Sequence, residues 1–556
     1  MKNKFLLAIL ILAFVLRVPF LDKFPAGLNA DEAAIGYNAY SLIKTGHDEH
    51  GVAWPLVFRS FDDYKPAVYF YLVLPFVYFM GLSVWAVRLP GALLSVLSIY
   101  YVYLLTNKLF PSVSFRAKRS EVEESFNIGH LAALMIAVSP WHLHFSRGGW
   151  EANTASVFML IGLYFLIKSL LDTRYFLLTT VLFVLALYTY HSLRVVIPLV
   201  SICFLVINFQ KIKDVLSQPT QIKPISIALI LGALALLPLA LQFTSDEGRS
   251  RFTGVSIFAD EGPLWEALEL RREDGGTLLA RVLHNRYFTY SYRFAKNYLS
   301  HLSPRFLFIT GDEIARSKVP GMGQTYLLAL PFFIWGLLLL LGRMKAPDKL
   351  VLGWLFIAPI AAALTFQSPH ALRSQNMVYP LTIITAIGLY EFIILISKIK
   401  INFILYTFYF LLTTISGYEV ARYLHQYYLH YPKELAYAWQ YGFDQIAEYV
   451  NRHENEYDKI IISDRYDQPY ILMAFFLKYP PEKIQREAVL EPRDKFGFST
   501  VRKFGKYEFR RIDYGQDEKI PHALVIAADE AVNDSKIIND IKDPGGNIIW
   551  RFVKVN

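Results

Sequence analysis

Two adjacent carboxylates open the first long polar segment of the chain, in Asn29-Ala-Asp31-Glu32-Ala-Ala-Ile-Gly-Tyr37, about ten residues after an apolar stretch that ends near residue 21. A carboxylate there could take the proton of an attacking hydroxyl. It could equally sit in the first turn of a helix and complement the helix dipole. Lys65, in Asp62-Asp63-Tyr64-Lys65-Pro66, could pair with Asp31, hold a phosphate, or simply reach along an apolar surface to the membrane boundary. His47-Asp48-Glu49-His50 lies between them. It has metal-ligating residue types but no recognised ligand spacing, and reads as a solvated turn.

Three further polar turns interrupt the apolar pattern. SPWHLHFSRGGWEAN carries His142, His144, Arg147 and Glu151; YTYHSLRVVIP carries His191 and Arg194; QSPHALRSQN carries His370 and Arg373. By the charge pattern described below, all three fall on the outer side of a membrane, where basic residues are the minority. One arginine there would serve as a headgroup anchor. Three of them, beside the segment with Asp31 and Lys65, are expected to converge on an anion, with Arg147, Arg194 and Arg373 as its ligands. An anion beside a carboxylate suits displacement at a sugar carbon bearing a phosphate: the acid takes the proton from the acceptor hydroxyl, and fixed positive charge stabilises the departing phosphate. No general acid is needed, unlike the carboxylate pair of glycosidases.

The elements that must position these residues follow from composition. Of 556 residues, 54% are hydrophobic and only 19% charged. The apolar residues come in blocks long enough to cross a hydrocarbon layer of roughly 30 Å. We read about eleven spans, near 5–21, 85–106, 128–146, 153–171, 175–192, 195–209, 224–243, 325–342, 349–366, 376–396 and 402–417. Basic clusters then fall on alternate loops: Lys2/Lys4, Lys108/Arg116/Lys118/Arg119, Lys168/Arg174, Lys211/Lys213/Lys223, Arg343/Lys345/Lys349 and Lys398/Lys400. All reach the cytoplasmic side if the N-terminus starts there. Counting PAVYFYLVLPFVYFMGL (66–82) as a span would invert that order, so it is expected to be an interfacial or re-entrant helix.

The expected organisation is therefore a membrane domain over 1–417 with outer loops at about 22–84 and 244–322, amphipathic connecting helices over 418–454, and an extracytoplasmic α/β domain over 455–556, where short β-rich runs alternate with helical patterns. The N-terminal apolar run lacks a small-residue cleavage site and reads as an uncleaved first span of a multi-pass cell-membrane protein. The single cysteine, Cys203, excludes disulfides within the chain and cysteine-based metal sites. A net charge of +9, spread between apolar blocks, points away from nucleic acid and toward membrane lipids.

The segment from Asp31 to about Arg88, with DEA, LIKTG, DYKPAVYFYL and FMGLSVWAVRLP, and the later SPW-SR and YHSLR turns, resembles the GT-C glycosyltransferases. Within them it is similar to the protein O-mannosyltransferase and lipid A aminoarabinose transferase branch, including bacterial Rgt-like transferases. The resemblance implies a polytopic α-helical GT-C-like fold with interfacial helices in the first outer loop. It also implies a polyprenyl-phosphate-linked sugar as donor and inverting transfer of a hexosyl or pentosyl group to a hydroxyl of a protein, lipid or glycan, at a site facing away from the cytoplasm. It assigns Asp31 as the catalytic aspartate, Glu32 as its neighbour, Lys65 as the lysine before the proline that opens the interfacial helix, and Glu151 as a second acid or metal ligand. Some relatives use a divalent cation and others none, so the metal stays open. Relatives with an arginine three residues after the aspartate differ from this chain, which has Ala34, and the lysine here is followed by one proline rather than two. Two other classes compete: a transporter or flippase of polyprenyl lipid or glycan, which would place charges near the bilayer midplane, and a non-catalytic glycolipid-binding relative.

Overall fold

The computed structural model describes residues 2–111, 127–242, 254–399, 401–493 and 499–555. Arg116, Lys118, Arg119, Lys400 and the polar stretch 245–252 lie outside the described residues. By its internal contacts the chain forms two compact units, residues 1–17, 93–146 and 150–424 in one, and 18–92, 147–149 and 425–556 in the other.

The first unit is helical. A helix occupies each of the eleven apolar segments, but six helices among the described residues are both long and apolar enough to cross a membrane, or seven if a bent pair counts as one. The shortfall has local causes. Pro140 divides the segment 128–146 into α5 (Ile128–Val138) and α6 (Pro140–Ser146), because proline cannot continue the hydrogen-bond ladder of a helix interior. The segment near 195–209 is Leu193–Ile207, followed after one residue by Phe209–Leu216 at an 80° bend. The last long helix does not stop near 417 but runs unbroken from Asn402 to His425. Helices Ala329–Arg343 and Val378–Ser397 approach closely at Gly336 and Gly388: a Cβ on Gly336 would lie 2.0 Å from the Ile384 carbonyl oxygen. Small residues allow such backbone contact where apolar lipid gives helices little other reason to associate.

The second unit combines two stretches that are far apart in sequence. Residues 18–92 pack with residues 147–149 and 425–556 in one compact unit. It contains α2 (Ala30–Thr45), the hairpin β1 (Val57–Ser60) and β2 (Asp63–Pro66), and α3 (Val68–Met80). The C-terminal part is a seven-stranded sheet ordered β4-β5-β6-β3-β7-β9-β8, from β3 (Lys459–Ile462), β4 (Val489–Leu490), β5 (Val501–Phe504), β6 (Tyr507–Phe509), β7 (Ala523–Ala527), β8 (Ile537–Lys542) and β9 (Ile548–Lys554). Central β3 pairs in parallel with β6 and β7. Parallel strands are covered on both faces, and all five residues of β7 are accordingly buried.

One apolar core joins Ala33, Ile35 and Tyr37 of α2, Phe70 and Val73 of α3, and the helix Pro469–Phe476 to the sheet. Polar bonds follow the same route. Tyr37 donates to the Tyr479 carbonyl at 2.7 Å, the Gln440 side chain accepts from the Ala30 N–H at 2.6 Å, and Gln485 donates to the Asp48 carbonyl at 2.8 Å. Within residues 66–82 the helix is α3 (Val68–Met80), with Tyr69, Phe70, Val73 and Val77 on its buried face.

Candidate functional site

The site is built on the first turn of α2. Asn29 caps that helix reciprocally: its side chain accepts from the Glu32 N–H at 3.1 Å, and Glu32 accepts back from the Asn29 N–H at 3.3 Å. This is a capping box with Asn in the cap position. Two carboxylates then stand at the positive end of the helix dipole, with very different surroundings.

Glu32 is completely buried, as is its partner Arg88. Its Oε1 accepts from Arg88 Nε at 2.8 Å and from the Gly149 N–H at 2.7 Å; its Oε2 accepts from Arg88 Nη2 at 2.8 Å and from the Asn29 amide group at 3.1 Å. Arg88 spends its remaining donors on the carbonyls of Leu21, Pro25 and Gly27. A bidentate, fully hydrogen-bonded pair is the form in which two charges can be buried at all. Nothing in this arrangement leaves a lone pair of Glu32 for a substrate.

Asp31, one residue earlier, is 36% exposed and accepts a hydrogen bond through Oδ1 from Lys65 Nζ. Lys65 is only 7% exposed at its side chain. It stands on β2, opposite Phe58 of β1, and its ammonium lies 5.3 Å from the centre of the Phe61 ring, a cation–π contact. A half-open carboxylate thus faces a cation held from below by an aromatic ring. Such a pair can remove a proton at one atom and receive an anion at the next.

The remaining expected residues are placed otherwise. Arg147 belongs to the same compact unit, nearly fully buried. Its Nη2 donates to the carbonyls of Pro19, Phe20 and Phe24, and its guanidinium lies over the rings of Tyr427 and Tyr428. It ties chain segments together. Arg194, Arg373 and Glu151 belong to the helical unit. Arg194 donates to the Leu187 carbonyl at 3.3 Å across its own turn, and Glu151 begins the helix α7 (Glu151–Ser169), where an acid complements the dipole. The histidines of the turns have internal partners: His142 with Arg17 and Ser98, His144 with the Arg316 carbonyl, and His370 near Asp312, whose carboxyl burial raises to about 6.

The His47–His50 run is structural. Asp48 accepts from the His50 and Val52 N–H groups, while Glu49 is buried against Asn38 and Tyr470, burial raising its carboxyl above the usual range. Among the described residues no group of three or more His, Cys, Asp or Glu side chains could hold a metal ion.

Arg88 was the residue that sequence reasoning passed over. It lies inside the run VWAVRLP at the start of an expected span, and a charge in such a place is itself a signal of a buried partner.

Over nearly its whole length the chain has a GT-C-like fold, by its likeness to solved structures. A solved structure of ArnT from Cupriavidus metallidurans bound to undecaprenyl phosphate is similar over 99% of this chain and 97% of that one, with a TM-score of 0.53 at 11% identity. The apo form of the same protein gives 0.52 at 12% over the same shares. The Archaeoglobus fulgidus oligosaccharyltransferase tethered with an acceptor peptide gives 0.50 at 10% identity, over 85% of this chain and 63% of that one. No family model and no curated protein matches the sequence.

Proposed function

We propose that this protein transfers a sugar from a polyprenyl-phosphate-linked donor to an acceptor hydroxyl, with inversion, at the outer face of the cell membrane. The observation that carries the reading is the partly exposed Asp31, paired with the buried Lys65, beside a Glu32 with no free capacity. The acceptor oxygen forms a bond to the anomeric carbon as the carbon–phosphate oxygen bond breaks. The acceptor proton goes to Asp31. The bond electrons leave on the polyprenyl phosphate, whose charge Lys65 meets. In the resting protein each of these two groups neutralises the other, so the approach of a lipid phosphate to Lys65 frees Asp31 to act as the base.

The full-length likeness to a structure bound to undecaprenyl phosphate supports a lipid phosphate as the ligand. In this reading Glu32 is an anchor and Arg147 a tie between segments, while Arg194, Arg373 and Glu151 remain candidates for the lipid phosphate or a cation. The buried Glu32–Arg88 pair is saturated by hydrogen bonds at a helix end rather than left open to a passing charge, which favours transfer over transport.

The test is a strain lacking the protein, with its membrane lipids and surface glycans analysed. One missing sugar is expected, restored by the wild-type gene and not by Asp31→Asn. Restoration by Asp31→Asn would overturn the reading.

A further inference from the structure

Lys65 is held by a turn that does not stand by itself. Phe61 and Asp62 are the two residues between β1 and β2, both in the left-handed region with φ of 60° and 62°. Two-residue hairpins need that conformation, and Asn-Gly or Asp-Gly ordinarily supply it. A phenylalanine adopts it only where its surroundings impose it.

The surroundings come from the C-terminal domain. The Ser499 N–H donates to the Phe61 carbonyl at 3.1 Å, and the Phe61 ring meets Tyr470 edge-on at 6.1 Å. The Asp62 carboxylate, 3% exposed, accepts from Arg59 within the hairpin and from Arg493 at 3.1 Å. Gln468 closes the frame by donating to the Ser499 carbonyl at 3.1 Å. The same Phe61 ring lies under the Lys65 ammonium. A chain of contacts therefore runs from the sheet domain through the turn to the cation that pairs with Asp31.

We propose that the C-terminal α/β domain is a positioning element for the reacting pair, with Asp62 and Phe61 as the residues through which it holds Lys65 against Asp31. The domain then needs no chemistry of its own. It supplies the rigidity that lets one lysine serve first as partner of the base and then as receptor of the leaving anion, since a misplaced group loses much of its effect. This inference rests on the function proposed above.

Two readouts on the full-length protein in lipid nanodiscs separate the inference from that function. The first is hydrogen–deuterium exchange over residues 57–66; the second is affinity for undecaprenyl phosphate, with Lys65→Ala as reference. Asp62→Asn keeps a side chain that tolerates the left-handed turn but removes the charge. It is expected to speed exchange over 57–66 while leaving α2 and β3 as in wild type, and to weaken binding by about tenfold. Phe61→Leu should act in the same direction, and Phe61→Tyr should restore wild-type behaviour. Unchanged exchange in Asp62→Asn, or faster exchange with full affinity while Lys65→Ala loses it, overturns the positioning role alone. Full affinity in Lys65→Ala overturns the function as well.

Discussion

Asp31 and Glu32 share a helix turn, a dipole and a basic partner each, yet they are opposite kinds of group. Glu32 accepts two hydrogen bonds from Arg88, one from the Gly149 N–H and two from Asn29, and has no contact with solvent; Asp31 is over a third exposed and pairs with Lys65. Residue type and position in the sequence are nearly identical, so what separates the two carboxylates is burial: one is enclosed with its arginine, the other is partly open to solvent. The saturated pair fixes the helix end. The Asp31–Lys65 pair meets solvent through Asp31, where a ligand can approach.

That contrast makes opposite demands on substitution. Asp31→Asn is expected to lower transfer by roughly 10²–10⁴-fold, the usual worth of a general base, with an unfolding temperature close to wild type; a steady-state transfer assay beside a thermal scan checks both. Glu32→Ala should do the reverse. It leaves Arg88 buried with its charge unpaired and is expected to cost about 3–5 kcal/mol of stability, read as loss of folded protein in detergent. If the two variants behaved alike, the distinction between the pairs would fail.

A smaller effect is expected at Gly36, on the buried side of α2. A Cβ there would lie 2.6 Å from both Phe475 Cε2 and Val87 Cγ2, so Gly36→Ala should cost about 1–3 kcal/mol by overpacking, measured as a lower unfolding midpoint. The smallest effect is one of pH. Burial opposes ionisation of Asp62, but hydrogen bonds from Arg59, Ser499 and Arg493 outweigh it and hold the carboxyl below its usual range. A depressed carboxyl stabilises the fold at neutral pH, and that contribution disappears as pH falls from about 4 through the folded-state value. The stability gap between wild type and Asp62→Asn should therefore narrow on acidification, and a gap independent of pH would show that the carboxylate charge does not hold the turn.

Much of the helical framework was legible because burial in lipid forces long apolar runs with charged ends, and each such run contains a helix. Where helices break, the cause was partly visible, as at Pro140. The folding of residues 18–92 with the sheet domain was not. Its contacts join Glu49 to Tyr470 and Tyr37 to the Tyr479 carbonyl, more than four hundred positions apart, and such pairings leave no periodic trace in either segment. Asp31 and Lys65 could be named as partners from residue type alone. The different state of Glu32 could not, because it depends on Arg88 and on a backbone N–H of Gly149. The surroundings of Arg147 were hidden for a similar reason: an arginine that binds carbonyls looks in sequence like one that awaits a phosphate.

Binding of undecaprenyl phosphate to the purified wild-type protein, Asp31→Asn and Lys65→Ala tests most directly whether this open pair is the donor site. Asp31→Asn should bind at least as tightly as wild type, since its lysine no longer has to be released from a carboxylate, and Lys65→Ala should bind about tenfold or more weakly. Equal affinity in all three would contradict the account.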